Sequence, residues 1–283
     1  MFLTKRKLNS QLNEISEYRY RDRIRIPFFN SMIDEQGEIA AEPPVDGEWS
    51  KLQVGDTWKG RDLYLWLTTQ IDVPASWAGR KVLGRFDFGE TGAGNNSGFE
   101  SLFFYNGKPY QGVDSNHTEV FLPDETVGTQ LPLTFRLWSG LEGGGPKKDQ
   151  THGIRMAEIC WLDQATDDFY FTALAVVETL NVLDSKTPEY TQLLSTVDRS
   201  FLLIDWSRPG SEVFYASIEE ARNYLRDEIN KMEKSSPVTV TCIGHTHIDV
   251  AWLWQLAEPQ PSAISLIAAG LKSARSGFSL APL

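Results

Sequence analysis

Cysteine is scarce, with two in 283 residues. Cys160 and Cys242 each sit in an apolar run, AEICWL and VTCIG. A disulfide framework of the kind that staples small secreted domains is therefore not expected, and a reducing compartment fits such thiols better. Positive charge is also short, 27 Lys and Arg against 38 Asp and Glu for a net charge of −11. A phosphate backbone attracts the opposite balance, so nucleic acid is a poor partner. No stretch approaches the roughly 18 apolar residues that a membrane span requires. The opening MFLTKRKLNSQLNEISEYRYRDR has basic residues with no apolar core behind them. It does not read as a secretory signal, and a cytoplasmic location follows as the expectation. The glycosylation patterns at Asn95 and Asn116 are then coincidences. Histidine is rare too, four in all, and beyond Glu258 there is no acidic residue.

Aromatic residues are plentiful, with nine Trp, nine Tyr and 15 Phe. The hydrophobic fraction of 41% is ordinary for a folded chain. Residues 1–48 read as an N-terminal helical arm and linker. Leu8, Leu12 and Ile15 keep helical spacing, YRYRDR suits a salt-bridged packing segment, and PPVDG marks a turn. From 49 to 165 the runs shorten to strand length: LYLWLTTQIDV, KVLGRFDF, FESLFFYNG, TEVFLP, LPLTFRLW and GIRMAEICWL. Turn residues separate them, and Asn106-Gly107 suits a tight primed turn because both positions accept positive φ. This pattern predicts an all-β sandwich of jelly-roll type. Tyr110–Asp114 follows that turn and reads as a loop.

Over 166–236 the period changes to 3.6. Phe169, Ala173, Val176, Leu180 and Leu183 form one stripe, and Tyr190, Leu194, Val197, Phe201 and Ile204 another. After the Pro209-Gly210 break comes a third, Ile218, Ala221, Leu225 and Ile229, with a capping box expected at Ser217. Residues 237–258 open a new element, the β-rich VTVTCI running straight into GHTHIDVAWLWQLAE. Chemistry placed just after a strand's carboxyl end suits an α/β or barrel site. The tail 259–283 breaks composition and reads as atypical.

His245, His247 and Asp249 stand at i, i+2 and i+4. In extended backbone alternate side chains point the same way, so His247 and Asp249 can converge on one ion. Imidazole nitrogen with carboxylate oxygen is a normal donor set for catalytic zinc. The competing reading is a strand-end histidine with Asp249 capping a following helix.

The run HTHIDVAWLW followed by LAE resembles the opening of the catalytic domain of the family 38 α-mannosidases. YLWLTTQIDVPASWAGRKVLGRFDFG and LFFYNGKPYQGVDSNHTEVFLP are similar to the accessory N-terminal region of that family's cytosolic and bacterial branch. The resemblance implies a carbohydrate-binding-like β-sandwich, a helical region, and the first β/α element of a truncated (β/α) barrel. It implies a retaining, zinc-dependent hydrolase of terminal α-D-mannose residues acting on mannosides or oligomannose glycans. His247 and Asp249 would be zinc ligands, His245 would support the site, and Trp252 would lie near the sugar pocket. A retaining glycosidase also needs a nucleophile and an acid–base about 5 Å apart. The family's nucleophile and remaining ligands would lie beyond position 283, so no catalytic residue is assigned and this chain alone is expected to be inactive. A homo-oligomer stays open for the complete enzyme. Two alternatives stand beside this reading. One is a sugar-binding sandwich without catalysis, using Trp58, Trp66, Trp77, Tyr105, Tyr110 or Trp138 unless those rings fill the core. The other is a different H-x-H metal hydrolase.

Overall fold

The computed structural model describes residues 2–37, 42–89, 100–115, 117–140, 149–233 and 241. These form two compact units: residues 23–160, and residues 2–22 together with 161–233.

The first unit is the sandwich. Its strands, counted from one that straddles the unit boundary, are β1 (Tyr20–Arg25), β2 (Phe29–Asp34), β3 (Ser50–Leu52), β4 (Thr57–Gly60), β5 (Tyr64–Asp72) and β6 (Lys81–Asp87). They continue with β7 (Glu100–Tyr105), β8 (Lys108–Asp114), β9 (Glu119–Phe121), β10 (Gln130–Trp138), β11 (Gln150–Gly153) and β12 (Met156–Leu162). One sheet has the order β3-β2-β5-β10-β7-β8, a second β1-β12-β6-β9, and a small third pairs β11 with β4. The alternation seen in sequence sets the inward face. Leu65, Leu67 and Ile71 on β5, Leu131, Leu133, Phe135 and Leu137 on β10, and Phe103 on β7 are all buried. Phe135 centres an aromatic cluster, with ring centroids 4.6 Å from Phe86 and 5.0 Å from Phe88 and Phe103. Phe86 and Phe88 meet Phe135 edge-to-face and Phe103 meets it at a tilt of 37°.

Three expectations need correction. Residues 20–25 and 29–34, expected in the arm and linker, are strands. In the first, Arg21, Arg23 and Arg25 alternate with Tyr20, Asp22 and Ile24, and in the second Phe29 and Ser31 are buried, a period of two that charge and length disguised. Tyr110–Asp114, expected as a loop, belongs to β8. The turn between β7 and β8 does form as expected, with φ of +51° at Asn106 and +73° at Gly107. Strand β8 is an edge, and its side chains reach the edge of the other sheet. Gln111 Nε2 donates to Glu119 O at 2.7 Å and Tyr110 Oη donates to Phe121 O at 2.9 Å. Side-chain bonds of this kind occupy acceptors that an open edge would offer to another chain.

The helical unit contains α1 (Phe2–Ser16), α2 (Gln164–Val182), α3 (Pro188–Leu202) and α4 (Glu212–Lys231). Sequence order separates α1 from the rest, yet Leu8, Leu12 and Ile15 share one core with Phe169, Val197, Phe201, Ile218 and Leu225. The third correction concerns the start of α4. Ser211, not Ser217, caps it, accepting from Phe214 N at 3.3 Å. Ser217 lies one turn inside, donating to Phe214 O at 2.7 Å and accepting from Asp205 N at 2.9 Å. The salt-bridged packing expected of YRYRDR is present. Arg19 Nη2 lies 2.6 Å from Asp167 Oδ1, and the Arg21 guanidinium sits 3.9 Å above the Tyr215 ring while pairing with Glu212.

Candidate functional site

His245, His247, Asp249 and Trp252 lie outside the described residues, as do the barrel element, the tail, Cys242, and Asn95 and Asn116. Among the described residues no group of three or more His, Cys, Asp or Glu side chains is placed to hold a metal ion. Cys160 is fully buried, and burial pushes its thiol up to about 12, as expected of a small hydrophobe rather than a nucleophile.

The ring residues separate cleanly. Trp58, Trp66, Trp77 and Trp138 are buried, so none presents an exposed ring for stacking. Three of their indole N–H groups have acceptors: Trp58 donates to Phe88 O at 2.9 Å, Trp66 to Asp34 Oδ2 at 3.2 Å, and Trp138 to Asp62 Oδ1 at 3.0 Å. Tyr105 and Tyr110 differ, being half-buried at the β7–β8 edge with centroids 5.6 Å apart and planes tilted by 60°. Tyr105 Oη donates to Glu125 Oε1 at 3.4 Å, and Glu125 itself is exposed.

The outer face of the six-stranded sheet carries a polar hub that sequence reasoning missed. Cross-strand register aligns Met32, Trp66 and Arg136 in one row and Asp34, Tyr64 and Trp138 in the next. Asp34 Oδ2 accepts from Arg136 Nη2 at 2.7 Å and Nε at 3.1 Å, as well as from Trp66; Oδ1 accepts from Gly37 N at 3.0 Å. The Arg136 guanidinium lies 4.2 Å above the Tyr64 ring. Burial alone would raise the Asp34 carboxyl. The hydrogen bonds from Arg136, Gly37 and Trp66, with the charge of Arg136, outweigh it and hold that carboxyl below its ordinary range. A carboxylate with both oxygens engaged in this way is no proton donor. It instead holds the chain after β2 against the sheet, beside an open cleft lined by Met32, Asp34, Glu35, Glu42, Pro44 and Trp66. The one sequence signal for this hub is a lone arginine inside the apolar strand LPLTFRLW.

Residues 30–158 match the family described as alpha-mannosidase, jelly roll domain. The sandwich is similar to that jelly roll domain. Among curated proteins, the chain is 21% identical over 230 residues to alpha-mannosidase 2C1 of Mus musculus, covering 77% of this chain and 21% of the relative. It is 22% identical over 228 residues to alpha-mannosidase 2C1 of Homo sapiens, covering 76% and 20%. The chain thus spans about a fifth of the length of these curated relatives. Among solved structures, a b-glucuronidase from Ruminococcus gnavus in complex with D-glucuronic acid matches at 13% identity and a TM-score of 0.35, covering 51% of this chain and 30% of that one. The apo form of a b-glucuronidase from the same organism matches at 12% identity and 0.34, covering 51% and 29%. The resemblance read from sequence therefore holds for the jelly-roll region, and no helix among the described residues is long and apolar enough to cross a membrane.

Proposed function

We propose that this chain supplies the jelly roll and the first metal-binding segment of a zinc-dependent, retaining α-mannosidase. The observation that carries this reading is the succession within one chain. An alpha-mannosidase jelly roll over 30–158 is followed by His-Thr-His-Ile-Asp at 245–249. The donor set fits the ion, since a neutral imidazole and a carboxylate at alternating positions suit zinc. His247 and Asp249 would hold it, His245 would support them, and Trp252 would border the sugar. Zinc bound there supplies fixed positive charge against sugar hydroxyls. The substrates are mannosides or oligomannose glycans, the location cytoplasmic, and the complete enzyme is open to self-association. Two ligands leave the coordination short, so the 283 residues alone are inactive in this reading.

The test pairs two proteins in an aryl α-mannoside assay with and without zinc. This chain by itself should release no mannose. The same chain continued in frame through the remaining ligands should hydrolyse the mannoside with zinc, and Asp249→Asn should abolish that activity. A continued chain without zinc-dependent hydrolysis would sink the assignment. Hydrolysis by the 283 residues alone, lost in Asp249→Asn, would overturn the statement that they are incomplete.

A further inference from the structure

We propose that the closed edge of the sandwich holds a second sugar contact, a corner formed by Tyr105, Tyr110 and Glu125 that takes one neutral pyranose unit. The ligand class rests on the mannosidase reading above; the site rests on the edge geometry. Of the six rings weighed as sugar-stacking candidates, the four Trp are buried, and only these two tyrosines keep partly exposed rings. Their orientation is fixed. Tyr110 is tied through its hydroxyl to Phe121 O at 2.9 Å and packs edge-on to Phe103 at 5.7 Å. Tyr105 ends β7, immediately before the tight turn at Asn106-Gly107.

The 60° tilt makes the pair a corner rather than a flat platform. A corner suits a single ring, one face on a tyrosine and its rim of hydroxyls turned toward acceptors. Glu125 supplies such an acceptor beside Tyr105, and the exposed Lys108 and Asn106 supply donors on the same hairpin. Stacking of C–H groups on a ring with hydrogen bonds at its rim is a general way of holding an uncharged, polar ligand. The net charge of −11 disfavours a sulfated, phosphorylated or uronic ligand and leaves a neutral one.

The test is a calorimetric and saturation-transfer NMR titration of the 283-residue chain with mannobiose, which needs neither zinc nor hydrolysis. Saturable binding with a Kd of about 1 mM is expected, as for a shallow single-ring contact. Tyr105→Ala and Glu125→Ala should each weaken it about tenfold. Tyr105→Phe should retain most of it, because the ring stays. Thermal unfolding of each variant reports that the fold is intact. Absence of saturable binding, or binding that survives both alanine variants unchanged, would overturn the proposal. So would a site that takes only charged sugars or only a protein. Loss of this binding leaves the aryl mannoside assay untouched, so the two readings fail separately.

Discussion

The indole of Trp138 donates to Asp62 Oδ1 at 3.0 Å, and Asp62 stands at a φ of +56°. The same combination recurs at Asp22, with a φ of +53° and its Oδ2 accepting from Trp161 Nε1 at 2.7 Å. In both places an aspartate adopts the left-handed backbone that its short polar side chain tolerates. From there it satisfies the N–H of a buried tryptophan on a strand. The rings contribute apolar area, and the aspartates remove the cost of burying their polar ends.

Replacing Asp62 tests this arrangement. Asp62→Ala should destabilise the sandwich by about 1–3 kcal/mol, the usual cost of leaving a buried donor unsatisfied. Asp62→Asn should cost much less, since asparagine tolerates positive φ and its carbonyl can accept the same bond. Urea unfolding followed by tryptophan fluorescence separates the two. Equal losses would mean that the indole bond carries no share of the stability.

The strands and helices that could be read in the sequence were those with one clean period. Leu65, Leu67 and Ile71 alternate, and Phe169, Ala173, Val176 and Leu180 repeat at helical spacing; both stripes are buried. Strand β1 was hidden because arginines fill every second position, and β2 because its buried positions mix Phe29 with the polar Ser31. The Asp34–Arg136 hub was hidden for a different reason. Its members are 102 positions apart in sequence and meet only through the β2-β5-β10 register. A lone arginine in a strand signals a partner but not which one. Trp58, Trp66 and Trp138 are buried at strand positions and Trp77 in the turn after β5, whereas the corner at Tyr105 and Tyr110 depends on β8, whose strand character the turn signal alone could not extend.

Helix α4 offers a direct test of where its first turn is secured. Ser211 accepts from Phe214 N, while Ser217 lies within the helix. Ser211→Ala should cost about 1 kcal/mol, as removal of an N-cap does. The adjacent Ser217→Ala should act differently, releasing the Asp205 N bond and shifting protection of the 203–211 segment. Amide exchange of Tyr215 and Phe214 reads the first effect, and exchange of Asp205 reads the second. Protection of Phe214 lost in Ser217→Ala and kept in Ser211→Ala would reverse the assignment.

Acid stability should fall in two separate windows, set by His152 and Asp34. His152 is fully buried on β11, stacked at 4.4 Å on Trp58, and its Nε2 lies 3.1 Å from Ser139 O. Burial lowers its pKa to about 4, against a smaller opposing effect of the Ser139 hydrogen bond. The unfolded chain, with an ordinary histidine near 6.5, therefore binds more protons than the folded one between those values. Stability from this group is whole above about pH 6.5 and is lost as pH falls toward 4, at no more than about 1.4 kcal/mol per pH unit. Asp34 has the opposite ionisation but the same direction of loss. Its carboxyl is held below the ordinary value of 3.8, so its share is present above that value and disappears only as pH drops through the lower folded one. Denaturant midpoints measured from pH 7 to 3 should thus decline first through the histidine window and then again at the acid end. His152→Phe should flatten the decline above pH 4 and leave the lower one. Asp34→Asn should do the reverse, with a lower stability at neutral pH because the buried Arg136 keeps its charge without a full counter-charge. A decline above pH 4 that persists in His152→Phe would show that another group in the chain carries the neutral-to-acid sensitivity.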